Sequence, residues 1–375
     1  MKYYLISGEA SGDLHGSNLV KQLYLADPSA EIRCWGGDLM QAAGATLVKH
    51  YRDLAFMGFA EVVKNLPTIL KNIRFCKEDI RSYQPDVLVL IDYPGFNLRI
   101  AEWAKENGFK VVYYISPQVW AWKENRVKKM KQCIDKMLCI LPFEKAYYHD
   151  KWNWEVEYVG HPLVEVVEEK QSGVGSWELG VNKNNANSQL IALLPGSRKQ
   201  EIQKKLPIML EVAQSFPEYQ FVVAQAPGLE DDFYAPFMAA YRNVSAVRNQ
   251  TYDLLLRSKA ALVTSGTATL ETALFGVPEV VCYKGSAISY QIAKRLIKIK
   301  YISLVNLIMD KEVVKELIQE ALTTENLVTE LSLLLNDTEK QKALQADYQA
   351  LKELLSAGGH ASAQAAKIIC DFVRK

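Results

Sequence analysis

Short, unbroken apolar runs recur along this chain, each closing on a loop of small or acidic residues and each followed by a stretch with helical spacing. Tyr3 to Ile6 is the first. It stops at Ser7-Gly8-Glu9, and apolar positions at Leu14, Leu19, Val20 and Leu23 then mark one face of a helix. Val87 to Ile91, Val111 to Ile115 and Met137 to Leu141 repeat the pattern, with amphipathic stretches such as Ile100 to Asn107 between them. Strands that are apolar at every position are covered on both faces, so the pattern predicts a parallel sheet between layers of helices.

Near Tyr158-Val159-Gly160-His161-Pro162 the pattern breaks, and Gln171 to Gln189 is rich in Gly, Asn and Ser. It restarts with Leu190 to Leu194, Phe221 to Ala224, Ala260 to Val263 and Glu279 to Cys282. We therefore expect two Rossmann-like α/β domains, residues 1–165 and 190–355, with a linker over 166–189. From Lys311 to Lys375 the apolar spacing reads as helical throughout, and a last helix after Gly358-Gly359, within 356–375, is expected to pack back on the first domain. Parallel sheets bind ligands at the carboxyl ends of their strands, so two such domains are expected to face each other across one cleft.

Composition narrows the partners. With 375 residues, 49% of them hydrophobic and 23% charged, the chain has the balance of a soluble globular protein with two cores. Its 44 Lys and Arg against 43 Asp and Glu give a net charge of +1, so no global field points to nucleic acid. The six cysteines form no CxxC pair, and a chain of this length does not depend on disulfides, which suits a reducing cytoplasm. Met1 to Ser7 is too short for a signal peptide and no apolar run reaches membrane-spanning length, so contact with a membrane would be peripheral.

Four clusters carry candidate chemistry. The loop Ser7-Gly8-Glu9-Ala10-Ser11-Gly12-Asp13 has small residues that admit a ligand, with a helix start behind it; it suits a phosphate or a sugar hydroxyl, or else a tight turn with Ser11 or Asp13 as N-cap. Its GxxxG spacing is not the dinucleotide GxGxxG. Asp92, directly after a buried strand in Ile91-Asp92-Tyr93-Pro94-Gly95-Phe96-Asn97, is placed either to act as a general base with a raised pKa or to cap the turn.

Leu194-Pro195-Gly196-Ser197-Arg198 has the makings of an anion cradle, with the alternative of an arginine on a solvated helix start. Ser265-Gly266-Thr267, followed by Ala268-Thr269-Leu270-Glu271, offers hydroxyls for phosphate at a helix start, and Glu271 one turn beyond Thr267 can accept from ribose hydroxyls; against simple helix capping, the presence of this cluster and the preceding one in one domain favours a nucleotide-diphosphate site. No Asp-x-Asp pair occurs and His15, His50, His149, His161 and His360 lack metal-ligand spacing, so neither a divalent cation nor another cofactor is required.

Taken together, GEASGDLHG at 8–16, IDYPGFN at 91–97, SPQVWAW at 116–122, LPFE at 141–144, GHPL at 160–163, LPGSR at 194–198, SGTATLE at 265–271 and SLVNL at 303–307 resemble, in order, the motifs of the lipid-A-disaccharide synthase family. The resemblance implies a glycosyltransferase-B fold and transfer of 2,3-diacylglucosamine from its UDP donor to 2,3-diacylglucosamine 1-phosphate. The product would be the β-1,6-linked tetraacyl disaccharide 1-phosphate, formed with inversion, together with UDP. Functional positions carry over to Glu9, Asp92, Arg198 and Asn306, with Glu271 at the ribose; His15 and Glu9 rival Asp92 as base. Gly95 departs from the pattern, standing where relatives often carry a second acidic residue.

Acylated donor and acceptor need an apolar surface. Phe56, Met57 and Phe59, with Val62, Val63 and Leu66, are interleaved with Lys64, Lys71, Arg74 and Lys77, a pattern shared by a helix at the anionic inner-membrane surface and by an ordinary core helix. A homodimer is allowed by the sequence but not demanded by it. Two other readings stay open here. One is a different UDP-sugar enzyme of this fold, such as the peptidoglycan N-acetylglucosaminyltransferase or a UDP-N-acetylglucosamine epimerase. The other is a UDP-sugar-binding module without turnover.

Overall fold

The computed structural model describes residues 1–54, 66–172, 189–286 and 300–375. It divides into two units, Met1–Pro162 with Leu355–Lys375, and Leu163–Leu354.

In the first unit, β1 (Lys2–Ile6), β2 (Glu31–Gly36), β3 (Thr46–His50), β4 (Val87–Ile91), β5 (Val111–Tyr114), β6 (Lys136–Cys139) and β7 (Glu157–Tyr158) form one sheet in the order β3-β2-β1-β4-β5-β6-β7. Every pairing is parallel. Alternate residues of the central strands feed different cores: Tyr4, Ile6, Leu88 and Leu90 on one side, Tyr3, Leu5, Val87 and Val89 on the other. That double burial is why these strands read as continuous apolar runs.

Helices α1 (Ala10–Ala26), α2 (Asp38–Ala42), α3 (Leu66–Tyr83), α4 (Pro94–Glu106), α5 (Arg126–Cys133) and α6 (Pro142–Trp152) link these strands, and α7 (Pro162–Ser172) follows β7. The first residues of the span expected as linker are thus helical.

The second unit has β8 (Leu190–Leu194), β9 (Gln220–Gln225), β10 (Val244–Arg248), β11 (Ser258–Thr264), β12 (Glu279–Tyr283) and β13 (Lys315–Ile318), in the order β10-β9-β8-β11-β12-β13 and again all parallel. Its helices are α7 from Leu163 onward, α8 (Lys199–Glu211), α9 (Asp231–Met238), α10 (Thr251–Arg257), α11 (Thr267–Leu274), α12 (Leu304–Met309), α13 (Thr324–Asn336) and most of α14 (Thr338–Ser356). The region from Lys311 onward is therefore not helical throughout. Val313, Val314, Leu317 and Ile318 have spacing that suits a helix, but Lys315 to Ile318 pair in register with Val280 to Tyr283 and complete the sheet edge.

The last helix, α15 (Ala361–Arg374), lies on α1. Ala361, Ala365, Ala366, Ile369 and Cys370 are its buried face, and the small alanines permit close approach. Tyr3 Oη and Cys370 Sγ are 3.3 Å apart, and Lys110 Nζ donates to the carbonyls of Phe372 and Val373, both at 3.2 Å. All six cysteines are buried free thiols. No helix among the described residues is long and apolar enough to cross a membrane.

Candidate functional site

In each sheet the strand order reverses once. The reversals fall between β1 and β4 in the first unit and between β8 and β11 in the second. Connections leave such neighbours toward opposite faces, opening a crevice at their carboxyl ends. The loops that fill the two crevices are Ser7-Gly8-Glu9 with Asp92-Tyr93, and Gly196-Ser197-Arg198 with Ser265-Gly266-Thr267.

Asp92 and Tyr93 both have left-handed backbones, with φ of 44° and 50°, and Ile115 past the end of neighbouring β5 has φ of 68°. Such strain at three non-glycine residues persists only where surrounding bonds over-determine it. Here the Asp92 N–H donates to Tyr114 O at 3.0 Å, while its carbonyl accepts from Tyr113 Oη at 2.6 Å and from Asn97 Nδ2 at 2.8 Å. Buried Asn97 also places Nδ2 3.2 Å from the carbonyls of Ile6 and Ile91, so one amide staples the ends of β1 and β4 together. Asn97 closes the IDYPGFN motif without a role legible in the sequence, and Tyr113 does not stand out at all. A carbonyl held by a side chain leaves no periodicity to read.

Burial pushes the Asp92 carboxyl up to about 6, the negative charge of Glu9 adds to the rise, and the Tyr93 N–H opposes it. Glu9 is the N-cap residue of α1, with extended backbone and no side-chain capping bond. Ser11 is exposed in the first turn; Gly12 is packed, since a Cβ there would stand 2.9 Å from Ser7 Cβ. Asp13 does not cap α1. It accepts from the N–H groups of Gly37, Leu39 and Met40 at 2.7, 3.1 and 3.0 Å and so caps α2, because the first turn of α1 aims its carboxylate at that neighbouring helix start. His15 Nδ1 is buried without a hydrogen-bond partner among the described residues, and burial lowers the ring to about 4, so it is neutral at physiological pH.

In the second unit a pocket of about 410 Å³ is lined by both loops of the crevice and by Glu271. Gly266, at φ of 147°, has open space where a Cβ would point; the backbone angle requires glycine there, and the open side leaves the start of α11 accessible. Thr264 Oγ1 donates to Pro195 O at 3.1 Å and fixes the two loops to each other. Arg198 is the N-cap residue of α8, its side chain 63% exposed and 3.4 Å from Glu201, so its guanidinium lies at the pocket mouth within a loose ion pair. Glu271, half-buried, is pushed up to about 7 by burial.

Asn306 is not among the residues that line this pocket. It is fully buried: Nδ2 donates to Val314 O and Glu316 Oε1 at 2.8 and 2.9 Å, and Oδ1 accepts from the N–H groups of Val313 and Val314 at 2.8 and 3.0 Å. Glu316 also receives the N–H groups of Ile302 and Ser303, and Ser265 Oγ donates to Ile302 O at 3.1 Å. These bonds tie Asn306 to a segment that reaches the glycine loop.

Several quoted motifs are architectural. Glu144 of LPFE is buried, accepts from the Leu141 N–H at 3.0 Å to cap α6, and accepts from Trp120 Nε1 of SPQVWAW at 3.2 Å. In GHPL, Gly160 has φ of 86° and abuts Gly358-Gly359, and the His161 N–H donates to Leu355 O at 3.2 Å. Phe56, Met57 and Phe59 lie outside the described residues.

A family model described as lipid-A-disaccharide synthetase matches residues 3–369. The chain belongs to the lipid-A-disaccharide synthetase family. The lipid-A-disaccharide synthases of Trichlorobacter lovleyi and Geobacter metallireducens are each 39% identical to it, over 95% and 99% of this chain and 93% and 97% of theirs. Among solved structures, a UDP-GlcNAc 2-epimerase from Neisseria meningitidis bound to UDP-GlcNAc matches with a TM-score of 0.70 at 14% identity over 100% of both chains. The glycotransferase of kitacinnamycin matches with 0.68 at 14%, over 99% of this chain and 98% of that one. At such identity these likenesses show the shared glycosyltransferase-B fold alone, whereas membership of the synthetase family rests on the sequence relatives.

Proposed function

We propose that this protein joins two acylated glucosamines: it transfers 2,3-diacylglucosamine from its UDP donor to the 6-hydroxyl of 2,3-diacylglucosamine 1-phosphate, releasing UDP. The observation that carries the reading, beside family membership, is the pocket at the β8/β11 reversal, built from a glycine with an open side, a helix start and an arginine. Those are donors for a diphosphate, and Glu271 across the same pocket is an acceptor for ribose hydroxyls. An epimerase or a peptidoglycan transferase would share this pocket but not the family.

In the proposed mechanism Asp92 accepts the proton of the 6-hydroxyl as that oxygen forms its bond to the anomeric carbon. The bond from that carbon to the diphosphate oxygen breaks on the opposite face, so the α-linked donor gives a β product. Burial and Glu9 keep Asp92 basic enough for the task near neutral pH, yet ionised in most molecules. Arg198 and the N–H groups at the start of α11 take up the charge growing on the departing UDP.

Contact with the inner-membrane surface belongs to the same proposal. Leu70 and Phe75 on α3 are 52% and 43% exposed, Trp122 is 51% exposed, and Lys71, Arg74 and Lys123 stand near them in sequence. Apolar groups among cations suit an anionic bilayer, and we assign acyl contacts to Phe56, Met57 and Phe59 of the same proposal.

Incubation of the purified protein with the diacylated UDP donor and the acceptor, followed by mass spectrometry, tests the reaction. A tetraacyl disaccharide monophosphate supports it. A free epimerised sugar, or UDP-sugar binding without turnover, overturns it.

A further inference from the structure

A second opening in the first unit, about 250 Å³, lies between α4 and α5. Pro94, Leu98 and Met130 give it an apolar floor, and its charged lining is Arg99, Arg126 and Lys129 against the single carboxylate of Glu102, a surplus of two positive charges. Lys129 and Glu102 pair at 2.5 Å. Neither Arg99 nor Arg126 has a carboxylate partner among the described residues, although Arg126 stands 6.0 Å from the Trp122 ring. Two guanidiniums over one cavity, left without an acid, match a group with about two negative charges and several acceptor oxygens, which is a phosphomonoester near neutral pH.

The position is as telling as the charge. The cavity begins at Pro94, two residues beyond Asp92, and Gly95 on its rim has open space where a side chain would point. In the transfer reaction proposed above, the acceptor places its 6-hydroxyl at Asp92, and its phosphate leaves the other side of the same sugar ring.

We infer that Arg99 and Arg126 form the subsite for the 1-phosphate of the acceptor sugar; this rests on the transfer reading and extends it from the reacting hydroxyl to the far end of the substrate.

The test uses the whole protein in detergent micelles, with the phosphorylated acceptor and its analogue lacking the 1-phosphate. Arg99→Gln with Arg126→Gln should raise KM for the phosphorylated acceptor about ten- to a hundredfold, the loss expected for charge-assisted bonds, with donor KM unchanged. The analogue should be used equally by both proteins. Glu102→Gln, which frees Lys129, should lower the KM of the phosphorylated acceptor, so the inference does not hang on the double variant folding.

An equal effect of the double substitution on both acceptors overturns the assignment, as does unchanged KM. So does a variant that loses sedimentation with phosphatidylglycerol vesicles while keeping its acceptor KM, because the arginines would then serve the bilayer. Should the wild type make no disaccharide, the transfer reading fails separately. Calorimetry with glucosamine 1-phosphate still decides the pocket: binding lost in the double variant supports it, and no binding by the wild type rejects it.

Discussion

The ring of Tyr93 lies so close over Gly8 that a Cβ on residue 8 would stand 2.3 Å from its Cδ1. Tyr93 follows Asp92 with the same left-handed backbone, so displacement of its ring is passed to the carboxylate. Gly8→Ala should therefore lower kcat at least tenfold, with a loss of about 1–3 kcal/mol of stability from overpacking. UDP affinity, which we assign to the second unit, should hold. Adding Tyr93→Ala should recover the stability; a melting temperature that does not rise in the double variant would reject steric conflict as the cause.

Asp92→Asn removes basicity at nearly constant size, and kcat should fall by about two to four orders of magnitude. Because the base works deprotonated and its pKa stands at about 6, wild-type activity should fall as pH drops through that value. Glu9→Gln removes the like charge that contributes to the rise, so the acidic limb should move to lower pH. A limb that stays in place in Glu9→Gln but vanishes in His15→Ala would pass the role of base to the histidine.

For the nucleotide, Arg198→Ala should weaken UDP binding about ten- to a hundredfold. Glu271, held at about 7 by burial, accepts from hydroxyls best when ionised. UDP affinity should accordingly improve as pH rises through 7 in the wild type more than in Glu271→Gln, and the variant subtracts the titration of UDP itself. Parallel pH curves in calorimetry would remove Glu271 from the site.

Glu279 opens β12 with 1% exposure and, among the described residues, with no hydrogen-bond partner for either carboxylate oxygen. Burial raises its pKa well above the ordinary 4.5. The folded state thus keeps a proton that the unfolded chain releases above pH 4.5, and stability contributed by this group declines as pH climbs from there. Glu279→Gln should melt several degrees higher than wild type at pH 8, with the gap closing toward pH 4. A gap independent of pH would show that the carboxyl is not the cause.

Much of the scaffold was legible because its central strands are buried on both faces, and that leaves unbroken apolar runs such as Val87 to Ile91. Edge strands left less to read. β3 and β10 are only partly covered, and β13 has spacing a helix would share. At the candidate site, glycines and hydroxyls next to strand ends mark the loops at both reversals. Positive φ at Asp92, Tyr93 and Ile115 leaves no trace in residue type, since none is glycine. Asp13 misled because a short polar side chain beside a helix start serves whichever backbone the fold brings to it, here the start of α2, and only tertiary structure names that backbone.

The first unit's core is closed by residues at both ends of the sequence, with α15 laid on α1 and Tyr3 touching Cys370. During synthesis the β1 face of that core therefore stays open until residues 361–374 leave the ribosome, by which time Leu163–Leu354 has already emerged. The later half of the chain is free to fold first, and the half that holds Asp92 is completed last.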